Sequence, residues 1–198
     1  GLAGKMVDLA VKGDFDKQLK EYDRLIEKDP SNAENYNSRG KIWRIAGHSD
    51  YALEDFKTAM KLDPSVARYH NNVGSCYTDR GELDTAMPYL RKAMELDPRY
   101  GSPYNNIGNY FIKSGRPQEA LEWLEKGKLA DPARWDMYWN AGIAYRDLGN
   151  YEEAIKNWEK CSQLDPRTGQ QLIHEIAEAR RKIGLKHRAQ GSEKKEQQ

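Results

Sequence analysis

The stretch YNNIGNYFIKSGRPQEALEWLEKGKLADP, residues 104–132, decides the fold. Its first half carries Tyr104, Ile107, Gly108 and Phe111, the i, i+3, i+4, i+7 stripe of an amphipathic helix. Gly115 follows, and glycine readily takes the left-handed conformation that closes a helix. Pro117 suits the first turn of a second helix, because its missing N–H would be unpaired there anyway. That helix points Ala120, Leu124 and Gly127 inward until Asp131-Pro132, where the proline turns the preceding residue away from helical geometry. Helices this short are marginal alone in water, so the pair must draw its stability from neighbours.

The neighbours are copies of itself. Asp-Pro recurs with its proline at Pro30, Pro64, Pro98, Pro132 and Pro166, a constant step of 34 residues. Gly13, Gly47, Gly81, Gly115 and Gly149 keep the same period, and a second glycine series runs Gly40, Gly74, Gly108 and Gly142. A fixed period of this size marks an array of supersecondary units that bury their apolar faces against one another. The second glycine series lies in helix interiors, where glycine costs about 1 kcal/mol relative to alanine. Close approach of the paired helix offsets that cost, with Ala52, Ala86, Ala120 and Ala154 expected as the small facing residues. The seams between helices are filled by Tyr36, Tyr104 and Tyr138, by Trp43, Tyr77, Phe111 and Tyr145, and by Phe56, Leu90, Leu124 and Trp158. These aromatics read as core rather than as a cofactor box.

Composition agrees with a thin core. The 198 residues are 32% charged, above the usual ~25%, and mean hydropathy is −0.97. Thirty-two Lys and Arg against 31 Asp and Glu leave a net charge of +1, which removes the bulk electrostatic case for a nucleic-acid or anionic-membrane partner. No apolar run is long enough to span a bilayer.

The 34-residue period, an aromatic four residues into the unit, the large–Gly pairs Val73-Gly74 and Ile107-Gly108, the aromatic three further on, the alanine, and the closing proline resemble the tetratricopeptide repeat (TPR) family. The resemblance implies an all-α fold: a right-handed α-solenoid of stacked helix-turn-helix hairpins with a C-terminal capping helix. Four full repeats span 33–66, 67–100, 101–134 and 135–168. Residues 1–32 read as a degenerate N-terminal repeat or cap, in which Lys5 and Met6 replace a large and a small residue and Gln18 replaces the alanine. His70 at the first aromatic position and Pro88 inside a second helix also depart from the pattern. Residues 169–186 form the capping helix, with Leu172, Ile173, Ile176, Ala179 and Ile183 as its apolar stripe and Gly184 as its end. Residues 187–198 read as a disordered polar tail.

No catalytic constellation emerges. His48, His70, His174 and His187 fall in different units, so no metal face forms. Cys76 and Cys161 read as packed thiols, and the isolated glycines lack the spacing of a phosphate loop. No cofactor is expected, and the chain is not expected to be an enzyme.

In the family, partners bind on the concave face lined by first helices. The resemblance therefore points to Asn37, Lys41, Arg44, Asn71, Asn72, Asn105, Asn106, Asn109, Lys113, Trp139, Asn140, Ile143 and Arg146 as groove residues. An amide both donates and accepts, so Asn72, Asn106 and Asn140 are candidates to hold a peptide backbone, or else simply family consensus. Trp139 with Ile143 reads either as an exposed anchor pocket or as packing against the C-terminal cap. Groove charges are mixed, which disfavours a phosphate track. The carboxylate clamp for chaperone tails needs cations where Asn37, Ser102 and Asn106, or Asn71, Asp136 and Asn140, stand, and is disfavoured too. The expected function is a non-enzymatic scaffold or adaptor that binds a peptide or helical segment of a protein partner in the concave groove. The alternatives are a homo-oligomeric module joined through Leu2, Val7, Leu9 and Val11 of the first repeat, and an RNA-binding helical repeat. Gly1 to Gly4 read as an artificial boundary, which leaves both cytoplasmic and exported locations open, the former being the default.

Overall fold

Each 34-residue unit closes its first helix in the same way. Gly47, Gly81, Gly115 and Gly149 sit at φ of +85°, +81°, +68° and +72°, and the residue after each glycine donates its N–H back to the carbonyl of Trp43, Tyr77, Phe111 or Tyr145. Only a residue without a Cβ reverses the chain there at little strain. At the other end of the hairpin the aspartate does as much as the proline after it. Asp29 and Asp63 each accept from the backbone N–H of the serine two residues on, at 3.1 Å, and from its hydroxyl, at 2.6 Å. Those bonds hold both carboxyls below the ordinary aspartate range and fix the turn that separates one hairpin from the next.

A computed structural model of the chain describes the backbone of residues 2–196 and the side chains of residues 14–185. Among the described residues all regular structure is helical. The first of two units, Gly1–Pro98, holds α1 (Leu2–Lys28), α2 (Ala33–Ile45), α3 (Ser49–Leu62), α4 (Ala67–Asp79) and α5 (Leu83–Leu96). Consecutive helices pack on one another. Ala52, Leu53, Phe56, Val73 and Cys76 are its central buried cluster, flanked by Trp43, Met60, Tyr77 and Tyr89. Helix α1 is continuous and contributes Leu19 to the buried set, while Gln18 is exposed. Lys5, Met6 and the apolar residues Leu2, Val7, Leu9 and Val11 lie outside the residues whose side chains are described. Helix α5 runs unbroken through Pro88.

The second unit, Arg99–Gln198, holds α6 (Ser102–Lys113), α7 (Pro117–Ala130), α8 (Trp135–Asp147), α9 (Tyr151–Leu164) and α10 (Pro166–Glu196). Ala154, Ile155, Trp158, Cys161, Leu172 and Ala179 form its buried cluster. Helix α10 begins at Pro166, three residues before the expected start of the cap, because proline fits a first helical turn. Ile173, expected on its apolar stripe, is 67% exposed. Gly184 lies within the helix rather than at its end; the Lys, Arg, Gln and Glu residues around it are good helix formers, and one glycine costs only about 1 kcal/mol. The side chains of the expected tail, residues 187–198, fall outside the described set.

The mid-helix glycines have a different partner from the one expected. A Cβ built on Gly40, Gly74, Gly108 or Gly142 would stand 2.8, 2.6, 2.6 or 2.2 Å from Phe56, Leu90, Leu124 or Trp158. The four alanines are fully buried, but the large residue one turn further along the antiparallel helix is what drops into the glycine notch.

His70 shows how a departure from the pattern is accommodated. Its Nε2 lies 2.8 Å from the Pro64 carbonyl oxygen. Two repeats later the Tyr138 hydroxyl donates to the Pro132 carbonyl at 3.1 Å, so imidazole and phenol tie the same turn to the same helix.

Candidate functional site

The first-helix face of the first unit is organised around Glu34. Its carboxylate accepts from Asn37 Nδ2 (3.1 Å), Ser38 Oγ (3.2 Å), Tyr69 Oη (2.9 Å) and Arg68 Nη2 (2.5 Å). Burial pushes the Glu34 carboxyl upward, but the bonds from Asn37, Tyr69 and Arg68 and the guanidinium charge outweigh it and hold the group below its ordinary value. Asn72 Nδ2 then donates to Asn37 Oδ1 at 2.7 Å, linking helix α4 to helix α2. Asn37 is fully buried and Asn71 nearly so, which removes both from a surface where sequence reasoning had placed them. Lys41, Arg44 and Ile45 project outward, Ile45 being 70% exposed. Arg44 donates to Ser75 Oγ at 3.1 Å.

The second unit repeats the device. Asn140 Nδ2 donates to Asn105 Oδ1 at 2.9 Å, and Asn105 Nδ2 donates to Asp136 Oδ2 at 3.2 Å. Asp136 also takes Arg134 Nη2 at 2.8 Å. The asparagines thus spend hydrogen-bonding capacity on joining adjacent repeats, a role not assigned to them from sequence. The spacing of 35, one more than the repeat, is the signal that would have revealed it. Asn106 and Asn109 are half-buried on α6, and Lys113 is exposed at its end.

Trp139 and Ile143 are partly buried and pack against the cluster of Ala154, Trp158, Leu172 and Ala179. That cluster is built from α9 and α10 together, the arrangement that the packing reading of this pair expects. Arg146 reaches α10: its Nη1 donates to Glu175 at 3.2 Å, and its Nη2 to Asp147 at 2.9 Å. Glu175 had no part in the sequence-based site. A half-buried guanidinium sits between two carboxylates here, and its contribution is structural before it is anything else.

Nucleophile chemistry finds little support. Burial pushes both Cys76 and Cys161 up to about 11, far from the thiolate form that attack requires. Among the described residues no group of three His, Cys, Asp or Glu side chains is placed to hold a metal ion, and no helix is long and apolar enough to cross a membrane.

Hairpins of this length, closed by left-handed glycines and locked through mid-helix glycine notches, define a helical repeat protein of the scaffold type. Sequence profiles of the tetratricopeptide repeat match residues 44–100, 77–144 and 135–168, together well over half of the chain, and the chain belongs to that family. No curated protein matches its sequence. Among solved structures, MamA is 28% identical with a TM-score of 0.60, over 80% of this chain and 93% of its own. TTC0263, a thermophilic TPR protein of Thermus thermophilus, is 20% identical with a TM-score of 0.71, over 87% and 94%. YrrB, described as a TPR protein with an unusual peptide-binding site, is 24% identical with a TM-score of 0.55, over 88% and 87%. The family's shared property is interaction with protein partners, and that general role extends to this chain.

Proposed function

We propose that the chain is a non-enzymatic adaptor whose first-helix faces take an extended or helical segment of a protein partner, one that carries apolar and acidic side chains. The observation that carries this reading is the outward stripe of α2, where Ile45 is 70% exposed one turn from Lys41 and next to Arg44. An exposed isoleucine beside two cations suits a partner residue pair of one apolar and one acidic side chain, and the bonds of Asn72 to Asn37 and of Arg44 to Ser75 tie α2 to α4 at both ends. Rigidity matters because an ordered surface loses less entropy on binding. Mixed charge on the first helices gives a phosphate backbone no continuous track.

A displayed random-peptide library tests this directly. Peptides enriched on the full chain are expected to combine an apolar residue with Asp or Glu, and to lose binding when Ile45→Asp and Lys41→Glu are introduced together. Enrichment of no peptide, or of peptides indifferent to that double variant, overturns the proposal.

A further inference from the structure

Positions two repeats apart occupy equivalent places in the two units, and one such set differs in a way that leaves a cavity. In the first unit the ring of Tyr77 on α4 faces α3, and Lys57 of α3 fills the space before it. The Lys57 ammonium lies 5.8 Å from the ring centroid and 3.8 Å from the Glu54 carboxylate. Contact with the Tyr77 hydroxyl, against a smaller opposing effect of burial, raises the Lys57 ammonium above its ordinary value. Arg80, at the end of α4, closes the same wall by pairing with Asp50 at 2.5 Å. The first unit therefore supplies two cations of its own to this tyrosine wall.

In the second unit Tyr145 stands where Tyr77 stood and Glu122 where Glu54 stood, but Glu125 replaces the lysine and Leu148 replaces the arginine. Both cations are gone. An open cleft of about 480 Å³ occupies the place, lined by Leu121, Glu122, Glu125, Tyr145 and Leu148 among others. Lys128 pairs with Oε1 of Glu125 at 2.8 Å, while Glu122 makes no ion pair among the described residues. Leu148 is 43% exposed at the mouth. Burial, and then the charges of Glu125 and Glu153, push the Tyr145 hydroxyl upward.

We propose that this cleft receives a lysine or arginine side chain from a partner protein. The aliphatic stem lies along Leu121 and Leu148, and the cation sits over the Tyr145 ring between Glu122 and Glu125, in the place Lys57 occupies in the first unit. Long cationic side chains cover apolar surface with their stems while the charge stays at a polar rim, and a cation over a tyrosine face is attracted by the ring quadrupole. The surface belongs to α7, the end of α8 and the turn that follows it, so it adds a basic-residue subsite to a protein whose first-helix face is proposed to take acidic segments.

The test uses the full chain, isotope-labelled, titrated with blocked Gly-Arg-Gly and Gly-Lys-Gly peptides and with the neutral Gly-citrulline-Gly. The cationic peptides are expected to shift the amide resonances of Glu122, Glu125, Tyr145 and Leu148 with millimolar affinity, and the citrulline peptide is expected to leave them unmoved. Replacing Glu122→Gln and Glu125→Gln together should weaken binding about threefold to tenfold, as the loss of two exposed charge contacts implies. Glu125→Lys, which restores the first unit's internal cation, should abolish it. Equal shifts with citrulline, perturbations that map elsewhere, or unchanged affinity in the double variant would each overturn the proposal.

Discussion

Gly142→Ala adds one carbon at the tightest crossing in the second unit. That carbon would stand 2.2 Å from Nε1 and 2.4 Å from Cδ1 of Trp158, a fully buried ring whose Nε1 donates to the Trp139 carbonyl at 3.2 Å. Ordinary contact needs more than 3 Å, so a rigid bicyclic ring must shift by most of an ångström within a packed interior. Overpacking of this kind costs about 1–3 kcal/mol, and the displaced indole loses a hydrogen bond worth about 1 kcal/mol. Against this, alanine in a helix interior gains about 1 kcal/mol over glycine. The balance is a net loss of about 1–3 kcal/mol. At about 2–4 °C per kcal/mol for a chain of this size, a mid-range loss lowers the melting temperature by about 4–8 °C. Urea unfolding followed by far-UV circular dichroism and tryptophan fluorescence measures the free-energy loss, and a thermal scan the shift in melting temperature. Gly149→Ala is the control, since its φ is +72° and nothing stands within 4 Å of the added carbon, so only left-handed strain, about 1 kcal/mol, is felt. A Gly142→Ala midpoint at or above wild type, as helix propensity alone would give, refutes the notch.

Two further predictions concern the first-helix face. Asn72→Ala strands the fully buried Oδ1 of Asn37 and should cost about 1–3 kcal/mol, while the double variant with Asn37→Ala should lose less than the sum of the singles, with a coupling of about 0.5–1.5 kcal/mol in the same urea assay; strict additivity would refute the inter-repeat bond. Glu34 sets a pH dependence: its carboxyl is held below the ordinary value in the fold, so the unfolded chain binds the proton more readily, and the associated stability is complete above the unfolded value of about 4.3 and is lost as pH falls through the folded one. Glu34→Gln should therefore flatten this part of an acid-unfolding curve, and an unchanged curve would count against the network around that carboxylate.

The parts of the fold that could be read from the chain are those whose chemistry is local. A left-handed glycine must follow each first helix, an Asp-Pro must follow each second one, and both constraints act within a few residues, so the period and the hairpin boundaries stand out directly. The notch partner was less legible. Ala120 and Leu124 both face Gly108 on a helical wheel, and only the antiparallel offset of the two helices decides that the leucine, not the alanine, enters the notch. The polar face was least legible of all, because a helical wheel can say that Asn72 points away from its paired second helix but cannot say that Asn37 is waiting one repeat back.

Trp139 is where that distinction changes the meaning of a residue. The preceding repeats carry asparagine at its position, Asn37, Asn71 and Asn105, and in the pairs within each unit that asparagine accepts from the asparagine 35 residues later. Thirty-five residues after position 139 stands His174, exposed on α10, so an asparagine there would face no amide partner. What α10 brings to the interface instead is Leu172, Ile176 and Ala179, an apolar surface against which a buried amide would cost free energy and an indole gains it. The replacement of asparagine by tryptophan therefore fits the change of neighbour: a polar clamp between hairpins gives way to an apolar joint where α10 follows the hairpin of α8 and α9. Read alone, an aromatic at a groove position resembles a binding anchor; read with the residue that would have been its partner, it is suited to the apolar cluster of α9 and α10.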